Sequence, residues 1–358
     1  MALCARPRRA RLALVGAVVI TAAVSACGGG GPARSGAAAR TTPPAASPAA
    51  SPGVPSSSAA APASSSTASS SAPPSTTTIP VASSGCGTTT SKGLSSQQFT
   101  FEGERRTFVR YVPASYDGTR PVPVVFEFHG YGSSALVQVF YGDFLSLANR
   151  YGFVIVAPNG QGSDRHFNLT GEAGLQDDVA MVGALLEHIE ATMCVDQTRV
   201  FATGMSDGGA VASVLACRDP DRFAAFGAVA VVVYESGCAD TSVPIMAFAG
   251  TADPVVPFNG GVVNCCGHPT LPGAPSAVAG WAQHDGCAAT PVVDQLSTQV
   301  QRRTYAGCTG GGAVVFYVIQ GGGHTWPGGL PVPSLGLTTR QINASSTIWS
   351  FFAAHPLA

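Results

Sequence analysis

Charge is what this chain has least of. Asp, Glu, Lys and Arg make up 11% of its 358 residues and nearly cancel, leaving a formal net charge of -1. A charge so sparse and balanced offers no electrostatic footprint for nucleic acid and no basic face for an anionic membrane. A membrane-spanning run is also missing. The apolar stretch LALVGAVVITAAVSA, Leu12 to Ala26, is shorter than the roughly 18–20 residues that a transmembrane helix needs. No repeat recurs at the periods of solenoid proteins. From Gly28 to about Ser84 large apolar side chains are almost absent, so that stretch cannot bury enough surface to offset its ordering entropy.

What is present divides the chain into three. Residues 1–26 carry Arg6, Arg8, Arg9 and Arg11, then the short apolar run, then small residues, the order of a secretory signal. The alternative is an uncleaved anchor, against which the length of the run speaks. VSAC, Val24 to Cys27, resembles the bacterial lipoprotein box, which implies a lipid on Cys27; plain secretion is the other reading. Residues 27–85, rich in Ala, Ser, Pro and Thr, read as a disordered tether. Residues 86–358 hold the folded domain. The expected location is therefore outside the cytoplasm, at the outer face of a bacterial membrane through the lipid, or free in the medium.

Within 86–358, apolar runs such as PVPVVFEF, FVIVAP, RVFATGM and PIMAFAG alternate with helical spacing, as in Val179, Val182, Leu186 and Ile189. That alternation predicts an α/β fold with a mostly parallel sheet covered on both faces. Functional residues of such sheets gather at the carboxyl ends of strands. Eight cysteines remain after Cys4 and Cys27 are set aside. An even number in an exported domain predicts disulfides, with Cys287–Cys308 as the first pairing and Cys194–Cys217 as the second. CCGH, Cys265 to His268, would suit a metal poorly, because adjacent thiolates cannot easily take two corners of a zinc tetrahedron. No metal or cofactor is expected.

One pentapeptide carries chemistry. Gly204-Met205-Ser206-Asp207-Gly208 is a Gly-x-Ser-x-Gly elbow between a strand-like and a helix-like run. A serine hydroxyl there needs a base, and this fold orders its residues Ser, acid, His. His324, behind three glycines after FYVIQ, is the candidate base. His129 precedes the serine, His188 lies in a helix, His355 is near the end, and His166, His268 and His284 lack the strand-end setting. The candidate acid is Asp253, just past the PIMAFAG strand; Asp240 and Asp285 follow no strand directly. Amides of Tyr131 and Asp207 are the candidate oxyanion donors.

EFHGYG, APNG, DDVAMV, CVDQTRVFATGMSDGG, GTADPVVP and GGGHTWPGG together resemble secreted esterases of carbohydrate esterase family one. That group includes feruloyl esterases, and closely similar bacterial lipoproteins are polyhydroxybutyrate depolymerase-like. The resemblance runs from Cys86 to the C-terminus. It implies an α/β-hydrolase fold and a triad of Ser206, Asp253 and His324, with Trp326 lining the substrate pocket or else packing against its own loop. Two departures stand out. Asp207 replaces the more usual Asn, Ala or Tyr, and a carboxylate there disfavours an oxyanion unless it points away. The insertion NCCGHPTLPGAP bears on substrate shape. The expected function is an extracytoplasmic serine esterase acting on feruloyl or acetyl esters of plant polysaccharide. A hydrolase of short hydroxyalkanoate esters is the second reading and a non-catalytic binding lipoprotein the third. No nucleic-acid or protein partner is implied. NLT, Asn168 to Thr170, matches a glycosylation pattern.

Overall fold

The computed structural model describes residues 78–357. The signal-like segment 1–26, Cys27 and most of the 27–85 tether lie outside the described residues. The chain runs β1 (Gly93–Phe101), β2 (Glu104–Val112), β3 (Val122–Phe128), α1 (Ala135–Tyr141), α2 (Phe144–Tyr151), β4 (Val154–Pro158), α3 (Asp178–Thr192), β5 (Val195–Met205) and α4 (Asp207–Arg218). It continues through β6 (Ala225–Val229), β7 (Pro244–Gly250), the small hairpin β8 (Gly260–Val262) and β9 (Thr270–Pro272), α5 (Ala274–His284), β10 (Val292–Gln295), β11 (Val300–Tyr305), β12 (Ala313–Ile319) and α6 (Ala344–Ala354).

One ten-stranded sheet orders these strands β1-β2-β4-β3-β5-β6-β7-β12-β11-β10. Its middle, β4 to β12, is parallel throughout, and an antiparallel pair closes each flank. This is the doubly covered sheet that the alternating runs predict. The sequence explains the difference between middle and edge. β3, β4 and β6 are apolar almost end to end and buried on both faces, as parallel strands between helix layers must be. β1, GLSSQQFTF, alternates exposed and half-buried residues, as an edge strand should.

Two apolar layers sandwich the sheet. On one side α3, α4 and α5 supply residues such as Leu185, Val211, Leu215 and Trp281. On the other, α1, α2 and α6 supply Val139, Phe144, Ile348 and Phe352. Among the described residues no helix is long and apolar enough to cross a membrane.

The folded body starts slightly before Cys86, inside the stretch assigned to the tether. Ala82 pairs with Asp196, and Ser83 is buried, its amide donating to the Val195 carbonyl at 2.9 Å. This added strip of backbone corrects the cysteine pairing. It carries Cys86 to Cys194, leaving Cys217 to bond Cys238 in the loop between β6 and β7. Cys194–Cys217 does not form. Cys287 is joined to Cys308, and Cys265 to its neighbour Cys266, so the CCGH thiols are taken up by each other. Bridges of this number belong to chains that mature in an oxidising compartment outside the cytoplasm.

Candidate active site

β5, β6, β7 and β12 end level with one another: Met205 faces Val229, Val229 faces Phe248, and Phe248 faces Tyr317. Ser206 follows that row at once, Asp253 five residues after Phe248, and His324 seven after Tyr317. At about 4.8 Å per strand, β5 and β12 lie roughly 14 Å apart. The loops after β7 and β12 must therefore reach back along the sheet edge.

Ser206 sits at φ 57°, ψ -119°, a conformation non-glycine residues avoid and that functional sites tolerate. Its amide donates to the Val229 carbonyl at 2.9 Å, and its own carbonyl accepts the Gly209 and Ala210 amides that begin α4. A Cβ on Gly208 would collide with the Phe128 carbonyl at the end of β3. Glycine is thus required where the elbow touches the neighbouring strand. Across that contact, a Cβ placed on Gly130 would lie 3.3 Å from the Ser206 Cβ, so the loop after β3 runs directly beside the serine.

His324 and Asp253 meet. The imidazole Nδ1 is 2.8 Å from Asp253 Oδ2, with the two side chains 5% and 2% exposed. A carboxylate can only accept, so Nδ1 carries the proton and Nε2 keeps its lone pair. The other carboxylate oxygen, Oδ1, accepts the Val255 and Val256 amides, each at 2.8 Å. Asp253 is therefore fixed at both oxygens. The glycines before His324 let backbones touch: a Cβ on Gly323 would run into the Leu335 carbonyl, and the His324 amide donates to that same carbonyl at 2.7 Å. Ser206 Oγ has no hydrogen-bond partner among the described residues. The serine–imidazole bond is not among the hydrogen bonds of the described residues, and such bonds commonly tighten only around substrate.

Asp207 resolves the question its charge raises. Its carboxylate turns away from the serine and accepts the Phe167 amide at 2.9 Å. Burial pushes its pKa up to about 6, with that amide pulling the other way. The backbone amides of Asp207 and Tyr131 flank Ser206, through the elbow and the Gly130 contact respectively, and neither donates to a protein acceptor among the described residues. Two free amides beside a nucleophile can receive an oxyanion. The Tyr131 ring stands at the surface, its hydroxyl donating to Asp164 at 2.8 Å and its face stacked on His166.

Trp326 requires a correction. It is 1% exposed, so it does not line a substrate pocket. Its indole packs edge-on against Phe144 and donates to Ser345 Oγ at 2.9 Å. His129 is a residue whose role the sequence left unread. Its Nδ1 donates to the Gly130 carbonyl at 2.8 Å and its Nε2 accepts the Gly160 amide at 2.9 Å. That tautomer is neutral, and burial lowers its pKa to about 4. A neutral imidazole thus ties the loop beside the serine to the loop after β4; its place in EFHG, next to that loop, was the available signal. Asp285 pairs with His284 and the Val243 amide, away from these groups. Asn168 is buried, its amide donating to the Glu172, Leu175 and Gln176 carbonyls, which leaves no glycan acceptor. Among the described residues no His, Cys, Asp and Glu cluster could hold a metal ion.

The arrangement, a strained serine, a buried His–Asp pair and two free amides, can perform acyl transfer. Comparison with known proteins agrees. Residues 107–313 match the profile of the family described as esterase PHB depolymerase. Feruloyl esterase C of Emericella nidulans is 31% identical over 288 residues, covering 76% of this chain and 91% of that one. Probable feruloyl esterase C of Aspergillus niger is 31% identical over 224 residues, covering 57% and 78%. Acetyl xylan esterase from Aspergillus awamori superposes with a TM-score of 0.52 at 17% identity, covering 73% of this chain and 99% of that one, a likeness of fold. The chain belongs to the esterase PHB depolymerase family, with an α/β-hydrolase fold and the activity of a carboxylic-ester hydrolase.

Proposed function

We propose that this protein is an exported serine esterase that releases feruloyl or acetyl groups from plant polysaccharide. Ser206 is the nucleophile, His324 the base and Asp253 the group that orients the imidazole. Asp207 and Tyr131 supply the amides for the oxyanion. His324 Nε2 takes the Ser206 proton as Oγ attacks the ester carbonyl. The tetrahedral oxyanion collapses to an acyl-enzyme, and the protonated imidazole gives its proton to the departing sugar alcohol. Water, activated by the same nitrogen, then frees the acid. Cys27 carries the lipid that holds the enzyme to the outer membrane face, and the stretch up to about residue 80 is the tether.

The observation that carries the reading is the buried 2.8 Å pair of His324 and Asp253, on loops that leave the same sheet edge as the strained Ser206. The curated relatives named feruloyl esterase C, at 31% identity, support the acyl group. A second reading, hydrolysis of short hydroxyalkanoate esters, is favoured by the family profile itself.

A fluorophosphonate probe should label the wild type and leave Ser206→Ala unlabelled. Hydrolysis of methyl ferulate, acetylated xylan and hydroxybutyrate oligomers should rank the first two above the third. Labelling of Ser206→Ala to the wild-type extent would remove the nucleophile assignment. A folded wild type that takes no probe and cleaves no ester would make the protein a binding lipoprotein. Metabolic labelling with a palmitate analogue, lost in Cys27→Ala, tests the anchor.

A further inference from the structure

Trp326 follows the base by two residues, yet it faces inward. Three contacts hold it there. The indole N–H donates to Ser345 Oγ at 2.9 Å. The Ser345 hydroxyl in turn donates to the Gly142 carbonyl. The Trp326 amide donates to the Tyr141 hydroxyl at 3.3 Å. All three side chains are under a tenth exposed. Just beyond, the Ala344 amide bonds the Pro327 carbonyl at 2.9 Å, and an added Cβ on Gly329 would lie 3.2 Å from the Tyr141 carbonyl. The chain after His324 is thus fastened to the last residue of α1, to the glycine that ends that helix and to the first turn of α6.

α1 is also the helix that leaves the loop beside Ser206. Ser134 caps it, and the Ala135 amide is pinned by Asn159 Oδ1 at 2.9 Å. Seven residues span only about 10 Å. The start of α1 therefore fixes the Tyr131 loop and its end fixes the His324 loop. Beneath it, Gln138 donates to Glu127 of β3 at 3.2 Å, which anchors the helix to the strand that feeds the same loop.

We propose that Trp326 and Ser345 are positioning residues: by clamping the His324 loop to the end of α1, they hold the base in register with the oxyanion donors at its start. This rests on the assignment of His324 as base. The need for a clamp follows from GGGH. Three glycines give the loop little stiffness of its own, and Asp253 grips the ring at a single nitrogen. A displacement of about 1 Å at a reacting group can cost on the order of 100-fold in rate.

The test is steady-state hydrolysis of p-nitrophenyl acetate by Trp326→Phe, Ser345→Ala, their combination, and Ser345→Thr. Trp326→Phe keeps an aromatic side chain, though a smaller one, and removes the donor. Ser345→Ala keeps the packing and removes the relay, so it serves if the tryptophan variant does not fold. Each single variant should lower kcat roughly 10- to 100-fold with KM within about twofold. The pair should fall no further than the worse single, because the two act through one bond. Ser345→Thr, which retains the hydroxyl, should recover most of the rate. The downfield proton resonance of the His324–Asp253 bond should broaden in Ser345→Ala while urea unfolding still shows a folded protein. A rise in KM at constant kcat would instead make Trp326 a substrate contact and overturn the inference. So would additive losses, a kcat within twofold of wild type, or a loss that only tracks the unfolded fraction. Ser206→Ala measured alongside separates the causes: if it stays active, the catalytic reading fails; if it is dead and Ser345→Ala is unimpaired, only the clamp fails.

Discussion

Glu127 offers a prediction independent of substrate. It lies in the middle of the sheet, fully buried, and its Oε2 has no hydrogen-bond partner. Oε1 accepts only from Gln138 at 3.2 Å. Burial raises its pKa from 4.5 to about 8, outweighing the opposing hydrogen bond from Gln138, and nearby Asp143 adds to the rise. The folded protein therefore holds this proton up to about pH 8, whereas the unfolded chain releases it near 4.5. Where the native state binds more protons than the unfolded one, stability falls as pH rises. Two other strongly shifted groups, both shifted chiefly by burial, act at lower pH. His129, lowered to about 4, is neutral when folded and charged when unfolded below 6.5, so stability gains from it as pH climbs to 6.5. Asp207 completes its loss by about pH 6. Between pH 6.5 and 8, Glu127 acts without them. That interval spans 1.5 pH units, and at about 1.4 kcal/mol per unit it should remove about 2 kcal/mol. For a folded body of about 280 residues, the corresponding fall in Tm is roughly 3 °C. Urea unfolding with the disulfides intact, at pH 6.5 and 8, measures it. Glu127→Gln, which cannot ionise in either state, should match the wild type only below about pH 4.5, exceed it by a margin that widens by about 2 kcal/mol between pH 6.5 and 8, and show no slope of its own over that interval. A wild type equally stable at both pH values, or a variant that keeps the wild-type slope, would refute the buried neutral carboxyl.

Other predictions concern the site. Asp253→Asn should leave binding nearly unchanged and lower kcat by about 10³–10⁴, because the amide leaves the imidazole proton on the wrong nitrogen; ester hydrolysis and far-UV circular dichroism together would show it. Asp207→Asn keeps an acceptor for the Phe167 amide but removes a charge that is present above about pH 6. The kcat/KM ratio of variant to wild type should therefore grow a few-fold from pH 5 to 8, and a flat ratio would mean the carboxylate is not felt at the oxyanion. Gly208→Ala forces a methyl into the Phe128 carbonyl and should cost about 3 kcal/mol or more, read as a lower urea midpoint and lost probe labelling. Cys86→Ala should leave Cys194 as a free thiol, since those two are bonded; if Cys217 captures it instead, a mass-mapped bridge would appear between them.

What the sequence disclosed was local. The elbow, the histidine behind three glycines and the aspartate past a buried strand each lie within about ten residues of their own signals, so order along the chain located them. What it hid was held by distant partners. Trp326 reads as a pocket aromatic until Tyr141, 185 positions away, and Ser345 are seen to hold it. The sequence pairs Cys194 with Cys217, each at the end of a helix, whereas the strip around Ala82 brings Cys86 across 108 positions. α1, sequence ALVQVFY, is rich in β-branched and aromatic residues, which on propensity alone suit a strand. Its helix is fixed by the Ser134 cap and by burial against β3 and β4. The direction of the Asp207 carboxylate depended on a loop some forty residues earlier, which no spacing rule reaches.

The site divides into a part that is set and a part left open. Asp253 and His324, the proposed acid and base, are bonded to each other and almost without exposure, a setting that strengthens the field a carboxylate exerts on an imidazole as positive charge develops. The serine is half-exposed and unbonded, and the two oxyanion amides are unpaired. In the proposed mechanism the oxyanion of the substrate completes the arrangement by engaging these amides. Rigidity of the donors matters for such a site, since preorganised dipoles need no reorganisation as charge appears. The structure invests accordingly: His129 locks the donor loop, the elbow's glycines let β3 and α4 touch, and α1 ties that loop to the base. The aromatic and polar contacts of Tyr131 with Asp164 and His166 extend the same frame to the surface.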